Sequence, residues 1–218
     1  MNYGEIRDAS LQLIGQYTIA GAVYAPSYNN QQDYLNKIPF LVNDCLMYIA
    51  TTTRRIPAQV TLDPAYGEEY GNWLRFNLPD DFFAMREAGL LIPDADKRRG
   101  ESNVWTRYVL QEPDHFILLP RELNKKAVLN YYRLPQLLWT GNGLPADYMP
   151  IDAPLPVQMT IPYYVAAHLV IEDDAFRYAS FMNEFETRLQ RLVPDPYAEI
   201  HEVHDVYGGF DGEDGFYV

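Results

Sequence analysis

The sequence predicts an α+β fold: an amphipathic helical bundle, two helices at each end of the chain, with an inserted antiparallel β lobe and an extended C-terminal arm. Three observations predict it. Apolar residues recur at spacings of three and four near both ends of the 218 residues. Between about Arg54 and Pro135 the period falls to two. After Leu192 the chain turns acidic, Gly-containing and aromatic, ending VYGGFDGEDGFYV.

The first helix is predicted from Asn2 and Glu5, which have capping-box spacing. Ile6, Ala9, Leu13 and Tyr17 then share one face, and the small and turn residues of Gly21–Asn30 end it. The second helix runs from about Gln31 to Thr52, where Tyr34, Ile38, Leu41, Val42, Cys45, Leu46 and Ile49 make an apolar stripe. Pro39 interrupts that stripe and predicts a kink or a restart, because it lacks a backbone donor and crowds the preceding turn.

Four to six short antiparallel strands follow. Val60 and Leu62 alternate with polar neighbours, and Leu74, Phe76 and Leu78 alternate with Trp73, Arg75 and Asn77. Val104–Leu110 and His115–Leu119 flank the turn-like Gln111-Glu112-Pro113-Asp114, and Ala127–Arg133 reads as another strand. Asp94–Ser102 (DADKRRGES) reads as an exposed loop.

Pro145, Pro150, Pro154 and Pro156 predict an extended connector. The helical period then returns, with Thr160 as a cap and Pro162 in the first turn. Ile161, Tyr164, Val165, His168, Leu169 and Glu172 fall on one broad face. Asp173-Asp174 interrupts the run, and Tyr178, Phe181, Met182, Phe185, Leu189 and Leu192 continue it until Pro194 and Pro196. The predicted organisation is residues 1–53 as N-terminal helices, 54–135 as the β lobe, 136–160 as the connector, 161–193 as C-terminal helices and 194–218 as the arm.

Composition narrows the function. Thirty acids against 17 bases give a formal charge of −13. Asp195, Glu199, Glu202, Asp205, Asp211, Glu213 and Asp214 all lie after Leu192, where there is no Lys or Arg. Such a chain is a poor adhesive for nucleic acid or anionic lipid, both of which need clustered positive charge. Its one cysteine, Cys45, excludes an internal disulfide framework and a multi-cysteine metal site, and fits a reducing compartment. No apolar run approaches the ~20 residues of a membrane span, and the first residues do not read as a secretion signal. Eighteen tyrosines suit protein–protein contact, where an apolar ring with a polar tip is favoured.

Candidate chemistry is sparse. There is no phosphate-cradling Gly-rich loop and no Gly-x-Ser-x-Gly turn. Cys45 lies in a core stripe and reads as a small apolar residue. His201-x-x-His204, beside Glu199 and Asp205, has ligand types at plausible spacing, but reads as part of a solvated acidic tail. His168 reads as a hydrogen-bonded core histidine, and His115, next to Phe116 in a strand, as facing solvent. Glu184 and Glu186 point different ways on a helix, and Asp80-Asp81 beside Pro79 caps a turn. No catalytic residue, metal site or cofactor is expected. The basic residues Arg54, Arg55, Lys97, Arg98, Arg99, Arg121, Lys125 and Lys126 are either solvated loop charge or a patch that meets an acidic partner, such as another copy of the chain or a phosphate backbone. In the tail, Val203, Val206, Tyr207, Phe210, Phe216, Tyr217 and Val218 put anchors into a disorder-prone stretch, as in an arm that orders by docking.

The order of elements, together with YNNQQDYLNKIPFLVNDCLMYIATTTRRIP at Tyr28–Pro57, LPDDFFAM at Leu78–Met85, FILLPREL at Phe116–Leu123 and IPYYVAAHLVIEDDAFRYASFMNEFETRLQRL at Ile161–Leu192, resembles head-to-tail adaptor (connector, or head-completion) proteins of tailed bacteriophages. The resemblance spans about Met1–Leu192. It implies a structural virion protein of the neck, assembled in the host cytoplasm as a homo-oligomeric, usually dodecameric, ring beneath the portal. Such a ring extends the DNA channel, lets DNA pass during ejection without sequence-specific binding, and presents a platform for tail or neck proteins. It implies no membrane partner. C-terminal arms of this family often embed in the portal, and Val203–Val218 is the matching position by location. Rival readings are a neck-associated cell-wall-degrading enzyme, which needs a paired-carboxylate site, and an unrelated soluble helical binding module.

Overall fold

The computed structural model describes residues 1–15, 30–93, 103–105, 108–111, 115–138 and 143–192. The fold is mixed α+β. It divides into two compact units, one built from Met1–Ile56 and Leu134–Asp195 and the other from Pro57–Arg133.

In the helical unit, α1 spans Tyr3–Leu13 and α2 spans Asn30–Thr52. After a four-residue helix, α3 (Leu155–Gln158), come α4 (Ile161–Val170) and α5 (Ala175–Arg191). The capping box at α1 forms as the sequence predicts: Glu5 N–H donates to Asn2 Oδ1 at 2.9 Å, and Asn2 N–H donates to Glu5 Oε2 at 2.9 Å. The remaining N-terminal donors are met from the connector, Tyr3 N–H by Met149 O and Gly4 N–H by Asp147 O, both at 2.9 Å. The first turn of a helix needs such outside acceptors. Pinned there, α1 buries Tyr3, Ile6, Ser10 and Leu11. The predicted face therefore keeps Ile6, while Ala9 and Leu13 are only half-buried and Tyr17 lies outside the described residues.

The stripe of α2 is buried through Ile38, Val42, Cys45, Leu46 and Ile49. Pro39 sits inside one uninterrupted helix, so the predicted restart does not occur. Helix α4 departs from the one-face expectation, because eight of its ten residues are buried. The cause is its position: α1, α2 and α5 all pack against it. Thr160 does not cap α4 with its side chain; its backbone is already helical and its hydroxyl donates to Val157 O at 2.8 Å. Asp174, predicted to interrupt, caps α5 by accepting from Phe176 and Arg177 N–H at 3.1 and 3.0 Å.

The connector is not simply extended. Leu138, Ile151 and Val157 join the helical core. Side-chain amides hold its backbone: Asn43 exchanges hydrogen bonds with Leu138 N–H and O at 2.7 and 3.0 Å, and Gln158 Nε2 donates to Ile151 O and Ala153 O at 3.0 and 2.6 Å. Proline excludes regular ladders but leaves carbonyls free to accept, and these amides use them.

Among the described residues the β section forms eight strands rather than four to six: β1 (Ile56–Leu62), β2 (Glu68–Tyr70), β3 (Trp73–Asn77), β4 (Phe82–Pro93), β5 (Asn103–Trp105), β6 (Val109–Gln111), β7 (Phe116–Pro120) and β8 (Ala127–Arg133). They form two four-stranded sheets, ordered β1-β8-β4-β5 and β2-β3-β7-β6. The predicted segment Val104–Leu110 is not one strand: β5 pairs antiparallel with β4, and β6 with β7 in the other sheet. Strand β4 is hidden from a period-two reading because its register on β8 shifts twice, between Phe82 and Ala84 and between Met85 and Leu90. Gly89, at φ +51°, supplies the left-handed residue within the second irregularity. Buried Asn130 supports it, donating to Gly89 O at 3.2 Å and accepting from Gln59 Nε2 at 2.9 Å. Leu74, Phe76, Ile117 and Leu119 from one sheet join Leu62, Leu90, Ile92, Leu129 and Tyr131 from the other in one core. The loop expected at Asp94–Ser102 lies outside the described residues.

Candidate interaction surfaces

The basic residues take up different roles. Arg54, just past α2, donates to Leu192 O, which follows the end of α5. Arg121 pairs with Glu69 at 2.7 Å and Lys126 with Asp63 at 2.8 Å. The Lys126 ammonium and a backbone hydrogen bond from Ala65 hold the Asp63 carboxyl below its usual range. Arg121, Lys125 and Lys126 are brought together on the β7–β8 connection, and all three are exposed. Two of the three are thus already balanced by carboxylates of their own unit. Arg54 is half-buried and Arg55, which follows it, is exposed. Lys97, Arg98 and Arg99 lie outside the described residues, as do all the arm anchors, Val203, Val206, Tyr207, Phe210, Phe216, Tyr217 and Val218, and the His201–His204 pair.

Of the residues considered for chemistry, Cys45 is fully buried, and burial pushes its thiol well above the ordinary value. A protonated, enclosed thiol is a poor nucleophile. His168 is half-buried and its Nδ1 donates to Tyr164 O at 2.9 Å, between the rings of Tyr164 and Tyr178. The Tyr164 hydroxyl donates to Asp44, and burial with that bond raises its pKa. His115 is not a strand residue. It stands before β7 at φ +57°, exposed, with its Nε2 3.1 Å from Pro79 O. Glu184 is engaged by Arg188 at 2.6 Å, and Asp81 accepts from Tyr131 at 3.0 Å. Among the described residues, no group of three His, Cys, Asp or Glu side chains is placed to hold a metal ion, and no helix is long and apolar enough to cross a membrane.

Two surfaces escaped the sequence reading. In the helical unit, a groove of about 360 Å³ runs between Leu13, Met159, Pro162, Tyr163 and Arg188, with the Arg188 guanidinium 4.2 Å above the Tyr163 ring. In the β unit, the face of the β2-β3-β7-β6 sheet turned away from its core carries large apolar groups. Register places Tyr70, Trp73 and Pro120 in one row, Glu68, Arg75, Leu118 and Val109 in the next, and Asn77, Phe116 and Gln111 in the third. The Arg75 guanidinium lies 4.4 Å from the Phe116 ring centre. The available signal was the tryptophan and phenylalanine at positions that alternation assigns to solvent. Exposed aromatics elsewhere include Tyr66, Tyr148 and Phe176, each more than four-fifths exposed.

No protein-family model matches the chain, and no curated protein matches it.

Proposed function

We propose that the chain is a non-enzymatic structural protein of a tailed-phage virion, an adaptor that forms a ring beneath the portal, extends the DNA channel and receives the tail. In this reading α1, α2, α4 and α5 form the bundle of the adaptor family, the β unit faces neighbours or tail, and Val203–Val218 anchors in the portal. The observation that carries it is the resemblance of four stretches of the sequence. Two of them contribute to a single helical core, α2 and α4–α5, and two contribute strands to a separate β unit. Large exposed rings at Tyr66, Tyr148 and Phe176 support it, since aromatic groups supply much of the contact energy between proteins. So does the acidic balance of −13, which keeps a DNA conduit from gripping phosphate. A ring requires two different faces on each subunit, and many weak contacts around it add by avidity.

The test is imaging of the chain mixed with portal rings. Added density with the symmetry of the ring is expected, and its loss on deletion of Val203–Val218. A chain that stays monomeric and adds nothing to any portal overturns the reading.

A further inference from the structure

Helix α5 separates two surfaces of opposite kind. At its start, the turn that joins it to α4 presents Phe176, 83% exposed, together with exposed Ile171. Glu172, Asp173 and Asp174 lie between those two apolar residues, and among the described residues none of the three forms an ion pair. Asp173 accepts from the Tyr34 hydroxyl at 3.4 Å and Asp174 accepts from backbone N–H groups of α5, neutral donors that add no compensating charge. Arg177, the cation next to them in sequence, is turned to α1, where it donates to Leu13 O at 3.2 Å. Toward the other end of α5 lies the groove of about 360 Å³, walled by Ala9 and Leu13 of α1, by Met159, and by Pro162 and Tyr163 of α4. Among the described residues no carboxylate lines it. Its cation is Arg188, whose Nε–H is taken by Glu184 at 2.6 Å. Arg191, on the same side of the helix, is exposed and has no ion pair among the described residues. Glu186 sits about 200° around the helix from Arg188, on its opposite side.

We propose that this groove receives the Phe176 turn of a second copy of the chain, in a heterologous contact. The inference rests on the self-assembly half of the proposed function, and it names the two different faces that a ring of copies needs. Phe176 does not fill the groove of its own copy, because it stands about 18 Å from Arg188 along the axis of one helix. An aromatic ring of benzene size occupies about 150 Å³, so the groove has room for the phenyl group, and Met159 at its wall is a side chain that adapts its shape. Burial of Phe176 and of Met159, itself 57% exposed, supplies the gain. The acids of the turn then approach Arg188 and Arg191, so each end of α5 carries the charge that the other lacks. One chain thus holds both an apolar knob and an apolar hole, on separate faces and with opposite charge around them. That arrangement joins copies in series.

The test is sedimentation equilibrium of the full chain, without portal, at protein concentrations up to ~1 mM. The native chain is expected to associate past the dimer. Phe176→Asp and Met159→Asp are each expected to weaken that association at least ~tenfold, and since both side chains are exposed neither change enters the core. An equimolar mixture of the two variants is expected to form a dimer and to stop there, because the first keeps an intact groove and the second an intact knob. Arg191→Glu is expected to weaken association about threefold, and Tyr148→Asp, at an equally exposed ring, to leave it unchanged. A native chain that stays monomeric over this range, association that ends at a dimer, variants that associate like the native chain, or a mixture that does not pair overturns the proposal. Imaging with portal rings separates this failure from that of the adaptor reading. Added density that persists with Phe176→Asp refutes the contact and leaves the adaptor standing, whereas self-association that needs Phe176 and Met159 but adds nothing to any portal supports the contact and refutes the adaptor.

Discussion

At the scale of single residues, the most informative are polar groups enclosed by apolar ones. Tyr3 is fully buried and its hydroxyl has no partner among the described residues, and burial raises its pKa to about 12. Tyr131 is raised to about 12 as well, by burial and then by its bond to Asp81. Both folded values lie above the ordinary tyrosine value of 10.0. The stability tied to the neutral phenols is therefore complete below pH ~10 and is lost as pH rises toward ~12, at about 1.4 kcal/mol per pH unit for each group. Tyr3→Phe keeps the ring and removes the unpaired hydroxyl, so urea melts are expected to show equal or higher stability, by up to ~1 kcal/mol, and a shallower loss above pH 10. A lower midpoint at neutral pH sinks that account. Asn130→Leu acts in the opposite direction. It leaves the Gly89 carbonyl and the Gln59 amide without this partner, and is expected to destabilise by ~1–3 kcal/mol in the same measurement. Neither environment is legible from sequence. Tyr3 sits one residue after a cap and Asn130 sits between Leu129 and Tyr131 in a strand, and only the packed neighbours make them buried polar groups.

At the scale of elements, legibility follows how far each element obeys its own periodicity. Helix α2 was read within a residue because its stripe keeps helical spacing along its length, and β8 was read to its ends although its burial does not alternate, Leu129, Asn130 and Tyr131 being buried in succession. Strand β4 was missed because its register shifts put consecutive apolar residues where alternation expects polar ones. Helix α4 was placed correctly and its burial misjudged, since periodicity cannot distinguish a one-sided helix with a wide stripe from a central one. Caps were legible where the side chain could reach a free N–H. Asn2 meets that condition, whereas Thr160 does not, because the preceding turn is already helical and captures its hydroxyl. Asp174→Ala removes an acceptor shared by two donors at the start of α5. Thermal unfolding is expected to show a loss of ~1 kcal/mol, and an unchanged melting temperature would mean that packing of Tyr178, Phe181 and Met182 alone fixes that end of the helix.

At the scale of the whole molecule, charge is the property that reaches furthest. The tail holds seven of the 30 acids and none of the 17 bases. In the candidate basic patch Arg121 and Lys126 have carboxylate partners in their own unit, Arg54 meets a backbone carbonyl, and Lys97, Arg98 and Arg99 lie outside the described residues. Duplex DNA in a gel-retardation experiment is accordingly expected to run unshifted with the intact chain at physiological ionic strength, and a salt-sensitive shift would contradict that expectation. The sequence could show this balance because charge is additive along a chain. It could not show the outer sheet face around Arg75, because that surface exists only once β2, β3, β6 and β7 are set side by side from positions far apart in the polymer.

The helical unit is written in two instalments, Met1–Ile56 and Leu134–Asp195, with the whole of Pro57–Arg133 between them. On the ribosome this imposes a waiting time. About 100 residues separate α2 from α4, so at ~5–20 residues per second the apolar stripe of α2 has no native partner for about 5–20 s after it is made. The intervening strands complete their own set in that interval. Translation thus delivers a finished β unit before the helices that precede it can close, and a chaperone that acts on this nascent chain meets α1 and α2 first.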